Sequence, residues 1–446
     1  MITNDEIELI ARVGEGTPMG EMLRRYWVPA MLIDELPEPD GQPKAIRLLG
    51  EDLVAFRDTA GRVGIMDIHC PHRLSSLALG RNEEGGLRCL YHGWKMDVEG
   101  KILETPCELP TSRMKDHLVH TAYPTREAAD LIWVYMGPRD QIPAFPDFNW
   151  MNLPADHRSI GKMREQCNFI QSMEGIFDSY HTNFLHSGWE VLHWTPEQIS
   201  SVNNRPSRTT AARVYTEGTD YGYHYAAIRD ASVDGTSLDY VRVTEFVAPF
   251  YCMNPPDRGE SSRPFIFVPI DDYNTILFEV RTSEGDGRPV DHEAHLRQSS
   301  MRVGEDLDET YRPKHNETNN YGQDRAYMTA GIRPDDPASL SHLRMAYSGI
   351  NEGIQHQDMA MIETMGRLSD RSNEHLGGSD LGIIDWRARL VEAVQAFVAG
   401  DEPPALSPAV AYRDVRAVST VVPKGADWRS VTWPQRAEAP VVPVSG

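Results

Sequence analysis

Cys70-Pro71-His72 and Cys89-Leu90-Tyr91-His92 are two short arms that each offer one cysteine and one histidine, with residues 73–88 between them. A strand-like run, Val63 to Ile68, feeds the first arm, where Pro71 stiffens the turn; Gly93 lets the chain reverse after the second. One thiolate and one imidazole per arm suit a [2Fe–2S] cluster with two cysteines on one iron and two histidines on the other. Neutral histidines raise the reduction potential above that of an all-cysteine cluster. The competing readings are a structural zinc, which usually pairs like ligands within an arm, and two unrelated Cys/His pairs in a core. Trp94, just beyond the second arm, is placed to shield such a cluster from water.

With Arg73 and Gly93-Trp94 included, the arms read C-P-H-R and C-x-Y-H-G-W. They resemble the cluster-binding arms of Rieske non-haem iron oxygenases. Cys70, His72, Cys89 and His92 are the expected cluster ligands.

The remaining composition is that of an ordinary globular protein of two or three domains: 446 residues, 40% hydrophobic and 25% charged. The formal net charge of −22 argues against nucleic acid or an anionic membrane as partner. It also requires a local cationic pocket for any anionic substrate. Five cysteines make no disulfide framework, the acidic N-terminus is no signal peptide, and no run reaches membrane-spanning length, so a cytoplasmic location is expected.

Along the chain, residues 4–13 read as a helix capped by Asn4 or Asp5, and 19–27 as a second. These make an N-terminal arm, 1–27. Residues 28–146 read as an antiparallel β cluster domain, with Pro138, Pro143 and Pro146 marking the linker. Residues 147–446 form the remaining domain: helical stripes at 166–186 and 351–366 flank strand-like runs at 220–228, 238–248, 264–269 and 275–282. The polar stretch 284–345 reads as partly helical with a lid. An amphipathic helix covers 380–399, with Ile383, Ile384, Arg387, Leu390, Val391, Val394, Phe397 and Val398 along one side and Gly400 as its cap.

A second metal site is written more faintly. Glu174, Asp178 and His181 step by four and three along one helical stripe, and His186 lies five beyond His181. Both imidazoles reach one metal only if the helix is overwound, bulged or ended between them. In 351–366, Asp358 falls on a stripe with Ile354, Met361, Ile362 and Met365; a lone buried carboxylate is costly, and metal ligation offsets that cost. His181, His186 and Asp358 then make a 2-His-1-carboxylate face for Fe(II). The competing readings are hydrogen-bonded histidines and a buried acid. His356 ranks below Asp358.

These stretches, with Thr17-Pro18, Tyr225 to Arg229, Tyr240 to Thr244 and Glu374 to Gly377, extend the resemblance over nearly the whole chain, nearest to the phthalate dioxygenases. The resemblance implies an α+β chain with a helix-grip catalytic domain, one cluster and one Fe(II) per chain, and a homotrimer or stacked hexamer. It implies electrons from NADH through a flavin/[2Fe–2S] reductase, and Asp178 bridging His181 to His92 of a neighbouring subunit. The expected activity is cis-dihydroxylation of a phthalate-like aromatic carboxylate with O2. The alternatives are a same-fold monooxygenase or O-demethylase acting on a substituted benzoate or phenoxy acid, and a Rieske electron-transfer protein. Arg242, on a strand with Tyr240, Thr244 and Phe246, is expected to clamp the carboxylate, with Arg213 second and Arg208 its rival.

Overall fold

A computed structural model describes residues 2–183, 185–186, 212–233, 235–255, 263–283, 288–329, 348–350 and 353–432. The chain divides into two compact units. One comprises Arg12–Pro146 with Val268–Asp272; the other comprises Met1–Ala11, Asp147–Phe267 and Tyr273–Gly446. Residues 1–27 therefore form no separate arm. The first helix is Asn4–Ala11, and its cap is neither Asn4 nor Asp5. Thr3 Oγ1 accepts from Glu6 N (3.2 Å) while Glu6 Oε2 accepts from Thr3 N (2.7 Å), a reciprocal capping box. The second helix is shorter than expected, Pro18–Leu23, with Thr17 as cap and Pro18 opening it. Trp27 already belongs to a strand, because its backbone pairs with Tyr135.

The unit holding the Cys/His arms contains β1 (Trp27–Leu32), β2 (Lys44–Leu48), β3 (Glu51–Arg57), β4 (Val63–Asp67), β5 (Arg81–Glu83), β6 (Gly86–Arg88), β7 (Lys95–Met96), β8 (Ile102–Glu104), β9 (Ala122–Tyr123), β10 (Thr125–Ala128) and β11 (Leu131–Tyr135). They form three sheets, β1-β11-β10, β2-β3-β4-β9 and β5-β6-β7-β8. The first arm joins β4 to β5 and the second joins β6 to β7. Val54, Phe56, Met66, Leu77, Leu87 and Met96 pack with Cys70, Cys89 and Trp94 in one buried cluster. The arms are thus tips of a packed core.

The larger unit is built on eight strands: β12 (Arg158–Glu165), β13 (Arg213–Gly218), β14 (Gly222–Val233), β15 (Thr236–Val247), β16 (Tyr251–Asn254), β17 (Arg263–Asp271), β18 (Asn274–Thr282) and β19 (Val418–Pro423). Their order is β12-β18-β17-β16-β15-β14-β13, with β19 also on β15. β15 is long enough to serve two partners, since Leu238–Val243 pairs with β19 and Glu245–Val247 with β16. This is the α+β, antiparallel architecture expected.

Three helices matter for the site: Phe169–Phe177, Ile354–Thr364 and Leu381–Ala399. Phe177, Tyr223, Phe246 and Trp386 form an aromatic knot, with ring centroids 5.3–6.0 Å apart, that ties two of them to β14 and β15. Gly382 allows the close approach: a Cβ there would stand 2.4 Å from the Tyr225 ring. The buried side of the last helix therefore turns about Gly382, Trp386, Leu390 and Val394, leaving Ile384 and Val398 of the expected stripe exposed. Gly400 caps this helix in the left-handed region, φ 105°. In the polar stretch, His292–Ser299 and Arg325–Thr329 are helical, while 284–287 and 330–347 lie outside the described residues. Among the described residues, no helix is long and apolar enough to cross a membrane.

Candidate metal centres and active site

Each Cys/His arm is a closed turn. Leu74 N donates to Cys70 O (2.9 Å) and Cys70 N to Ser75 O (2.9 Å); Gly93 N donates to Cys89 O (3.0 Å) and Cys89 N to Trp94 O (2.8 Å). Gly93 takes φ 74°, and a Cβ on it would meet Pro106 Cγ at 2.7 Å, so the second turn requires glycine. The turns bring like ligands together across the arms. The His72 and His92 rings meet edge to face at 4.4 Å, and Trp94, fully buried, stacks on His72 at 4.9 Å. Burial pushes the Cys70 thiol up to about 11, and the Cys89 thiol beside it pushes the same way. His92 Nδ1 is buried with no hydrogen-bond partner. Two adjoining thiols, two adjoining imidazoles and an orphaned ring nitrogen fit a cluster that takes thiolates on one side and imidazoles on the other. The arm tips expose Leu74, Leu90 and Tyr91.

The second site forms where the helical stripe fails. The helix stops at Phe177, and Asp178 is its extended C-cap (φ −83°, ψ 104°), so Asp178 and His181 do not share a helical face with Glu174. Glu174 turns away into a buried ionic network with Arg371 and Arg387, at 2.8 and 2.7 Å. Asp178 Oδ1 instead accepts from Tyr180 N (2.7 Å) and His181 N (3.3 Å), opening a one-turn helix His181–Asn183. Ending the helix before His181 resolves the five-residue spacing, and both imidazoles face one point.

At that point His181 Nε2 lies 3.1 Å from His186 Nε2, and Asp358 Oδ1 lies 3.4 and 3.1 Å from the two nitrogens. The protons are assigned by the outer partners. Gln357 is fully buried and its amide nitrogen donates to Ser348 Oγ (3.2 Å) and Ile350 O (2.9 Å). Its Oε1 therefore faces His186 Nδ1 (2.7 Å) as acceptor, which makes Nδ1 the donor. Asp178 Oδ2 stands 3.4 Å from His181 Nδ1 and orients that ring likewise. Burial opposes ionisation of Asp178, but the hydrogen bonds and charge of His181 and the backbone N–H groups of Tyr180 and His181 together outweigh it and hold the carboxyl below its ordinary value. With both Nδ1 atoms protonated, two imidazole lone pairs and a carboxylate oxygen converge with no proton among them. That donor set fits a divalent cation: bonds of about 2.1 Å at right angles would place ligand atoms about 3.0 Å apart.

Asp358 is not carried by the expected stripe. Met361 and Met365 are exposed, and the helix buries Gln355, His356, Gln357, Met359, Ala360, Ile362 and Glu363 instead. Asp358 sits at the edge of that face and lines a cavity. His356 is buried elsewhere, with its pKa pushed down to about 4 by burial, and is not in the trio.

Phe265, Phe267, Leu277, Ile354 and Ile362 give the cavity its apolar wall, and Asp178, His181 and His186 line it too. Strand alternation adds a cationic wall. Arg242 lies opposite Ala227 and Thr244 opposite Tyr225, and all four line the cavity with Arg229 and Arg263. Arg242 donates to Tyr240 OH (3.3 Å) and Pro255 O (3.0 Å). Arg213 is a correction. It pairs in register with Ile228, on the opposite face of the sheet, and donates to Asp239 Oδ1 at 2.6 Å, away from the cavity. Arg208 lies outside the described residues. Sequence reasoning missed Gln357, Glu165 and Arg229. The alternation Tyr225, Ala227, Arg229 was the available signal for the last.

Residues 26–119 match the family model of the Rieske [2Fe-2S] domain, and residues 134–442 match one described as LigXa C-terminal domain like. The chain is 41% identical to the phthalate 4,5-dioxygenase oxygenase subunit of Pseudomonas putida, over 96% of this chain and 94% of that one. It is 36% identical to the 3-chlorobenzoate-3,4-dioxygenase oxygenase subunit of Comamonas testosteroni, over 98% and 99%. Among solved structures, dicamba monooxygenase bound to 3,6-dichlorosalicylic acid superposes with a TM-score of 0.54, over 85% of this chain and 99% of that one, at 18% identity; this likeness concerns the fold.

Proposed function

The chain belongs to the Rieske non-haem iron oxygenases, and from that premise we propose that it is the oxygenase component of a dioxygenase that cis-dihydroxylates a phthalate-like aromatic carboxylate. The observation that carries the substrate class is the pairing, in one cavity, of the His181–His186–Asp358 trio with a wall holding Arg242. In a chain of net charge −22, that cationic wall is local and specific. A match extending over residues 134–442 argues against a simple electron carrier.

Cys70, Cys89, His72 and His92 would hold the cluster; His181, His186 and Asp358 would hold the mononuclear iron. When bound, these groups store single electrons and activate O2. The protein's own part is positional. Arg242 holds the carboxylate through paired donors, and the apolar wall receives the ring and keeps water out. Gln357 and Asp178 fix the imidazole tautomers. Asp178 also bridges His181 to His92 of a neighbouring subunit in a trimer or stacked hexamer, and the exposed Leu74, Leu90 and Tyr91 support such a contact. Electrons come from NADH through a flavin/[2Fe–2S] reductase, in the cytoplasm. The residue boundaries 28–146 and 147–446 correspond to electron entry and catalysis.

The test is a panel of aromatic carboxylates and neutral analogues, given with NADH and a matched reductase, with oxygen uptake and product followed together. Coupled turnover confined to carboxylates is expected. Preference for the neutral analogues would overturn the substrate class.

A further inference from the structure

Joining one ring and one O2 into a cis-diol takes two electrons and two protons. The reductase supplies the electrons, and the protons have to reach a cavity whose apolar wall keeps water out. Among the described residues, the ionisable groups that line this cavity differ in what they can release. The arginines stay charged at any working pH. The Nδ1 protons of His181 and His186 are held by Asp178 and Gln357. Burial pushes the Tyr225 hydroxyl up to about 12. Asp178 and Asp358 face the imidazoles as acceptors. Glu165 is left.

Glu165 is 2% exposed and ends β12, opposite Thr275 of β18. Two residues earlier Met163 faces Leu277, so strand alternation puts Glu165 on the same face as Leu277, and both line the cavity. Ser172, which lines it too, donates from Oγ to Glu165 Oε2 at 2.5 Å. Among the described residues Ser172 is the one hydrogen-bond partner of this carboxyl, and no cation pairs with it. Arg312, whose charge reaches it, is spent on Glu363 (2.8 Å) and Glu317 (2.6 Å). Glu363 and Asp358 add negative charge, and the Cys167 thiol, 3.3 Å from Ser172 Oγ, is held neutral by burial. A buried charge without a countercharge is costly, so the group keeps its proton. With Oε2 accepting from Ser172, that proton sits on Oε1, which has no protein partner. We propose that Glu165 is a general acid of the reaction: its Oε1–H bond breaks, the proton passes to a product oxygen, and the carboxylate remains. The second proton, and the one that restores Glu165, come from water admitted as product leaves. This rests on the dioxygenase reading above.

The test compares wild type and Glu165→Gln as metal-replete holoenzyme, by infrared spectra of the resting proteins across pH and by single turnover of the reduced proteins with phthalate and O2. Glutamine keeps the shape and an acceptor for Ser172 but has no acid proton. Wild type should show the carbonyl stretch of a protonated carboxylic acid that Glu165→Gln lacks. The variant should form diol at least tenfold more slowly. In wild type, diol formation should fall with rising pH in step with the infrared band, and in the variant that fall should be absent. Identical spectra overturn the proposal, as does a variant that forms diol at the wild-type rate. If Glu165→Gln does not fold, wild type decides: loss of the band and of diol formation together supports the proposal, and diol formation that persists after the band has vanished overturns it. Wild type that shows the band but makes no diol fails the dioxygenase reading, and the role of the Glu165 proton with it.

Discussion

Gln357 Oε1 lies 2.7 Å from His186 Nδ1, and the other end of the same amide is spent on Ser348 and Ile350. The glutamine cannot flip without losing two donors, so the imidazole keeps its Nε2 lone pair toward Asp358 and His181. Gln357→Leu keeps the volume but frees the ring and strands the Ile350 carbonyl. Affinity for Fe(II) should fall 10–100-fold, read by chelator competition, with the visible cluster spectrum intact. Unchanged iron affinity would remove Gln357 from the site's construction.

Asp178 is the residue whose position departs most from its expected helical face. Asn168 caps the helix and the last helical bond runs from Asp178 N to Glu174 O (3.1 Å). Asp178→Asn keeps that geometry and its acceptor oxygen, but loses the charge that draws the imidazole proton. Both metals should remain bound while single-turnover oxidation of the cluster slows at least tenfold. A wild-type rate counts against the bridge, and loss of iron would make the residue purely structural.

What the sequence disclosed follows the range of each interaction. The cluster arms are local turns, so the two cysteines and two histidines that they bring together were legible residue by residue. The helix end at Phe177 depends on the competition between the helix and the Asp178 side chain for Tyr180 N and His181 N, which a four-and-three spacing does not reveal. Asp358 was found on a stripe that the structure divides, because Met361 and Met365 face solvent. Which face of the sheet an arginine takes depends on cross-strand register. Arg213 was therefore assigned to the wrong side, and Arg229, one strand away from Arg242, was passed over.

Arg242, the clamp proposed from the sequence, lines the cavity. Arg242→Ala removes the guanidinium and its fork of donors. Charge-assisted hydrogen bonds of this kind contribute roughly 1.5–3 kcal/mol, so the KM for an aromatic carboxylate should rise at least tenfold, with oxygen uptake partly uncoupled from product. An unchanged KM across every accepted acid would take Arg242 out of substrate binding.

Glu165 gives the protein a pH dependence of its own. It lies at the end of β12, buried, with Ser172 Oγ donating to Oε2 at 2.5 Å. Burial pushes its carboxyl from 4.5 up to about 8, and Glu363 and Asp358 push the same way. The folded state thus holds a proton that the unfolded chain releases near its ordinary value. Stability from this group is fully present below 4.5 and declines as pH rises toward about 8. Glu165→Gln should flatten that decline, gaining on wild type between pH 5 and pH 8 by about one to a few kcal/mol in denaturant unfolding. Parallel pH profiles for the two proteins would contradict it.

Dihydroxylation makes a demand that no other reading shares: both atoms of one O2 enter one ring. The decisive measurement is a single turnover of fully reduced holoenzyme with phthalate under 18O2, with the product analysed by mass. A cis-dihydrodiol carrying two 18O atoms is the predicted result. A product with one labelled oxygen, or cluster oxidation with no oxygenated product, would contradict it.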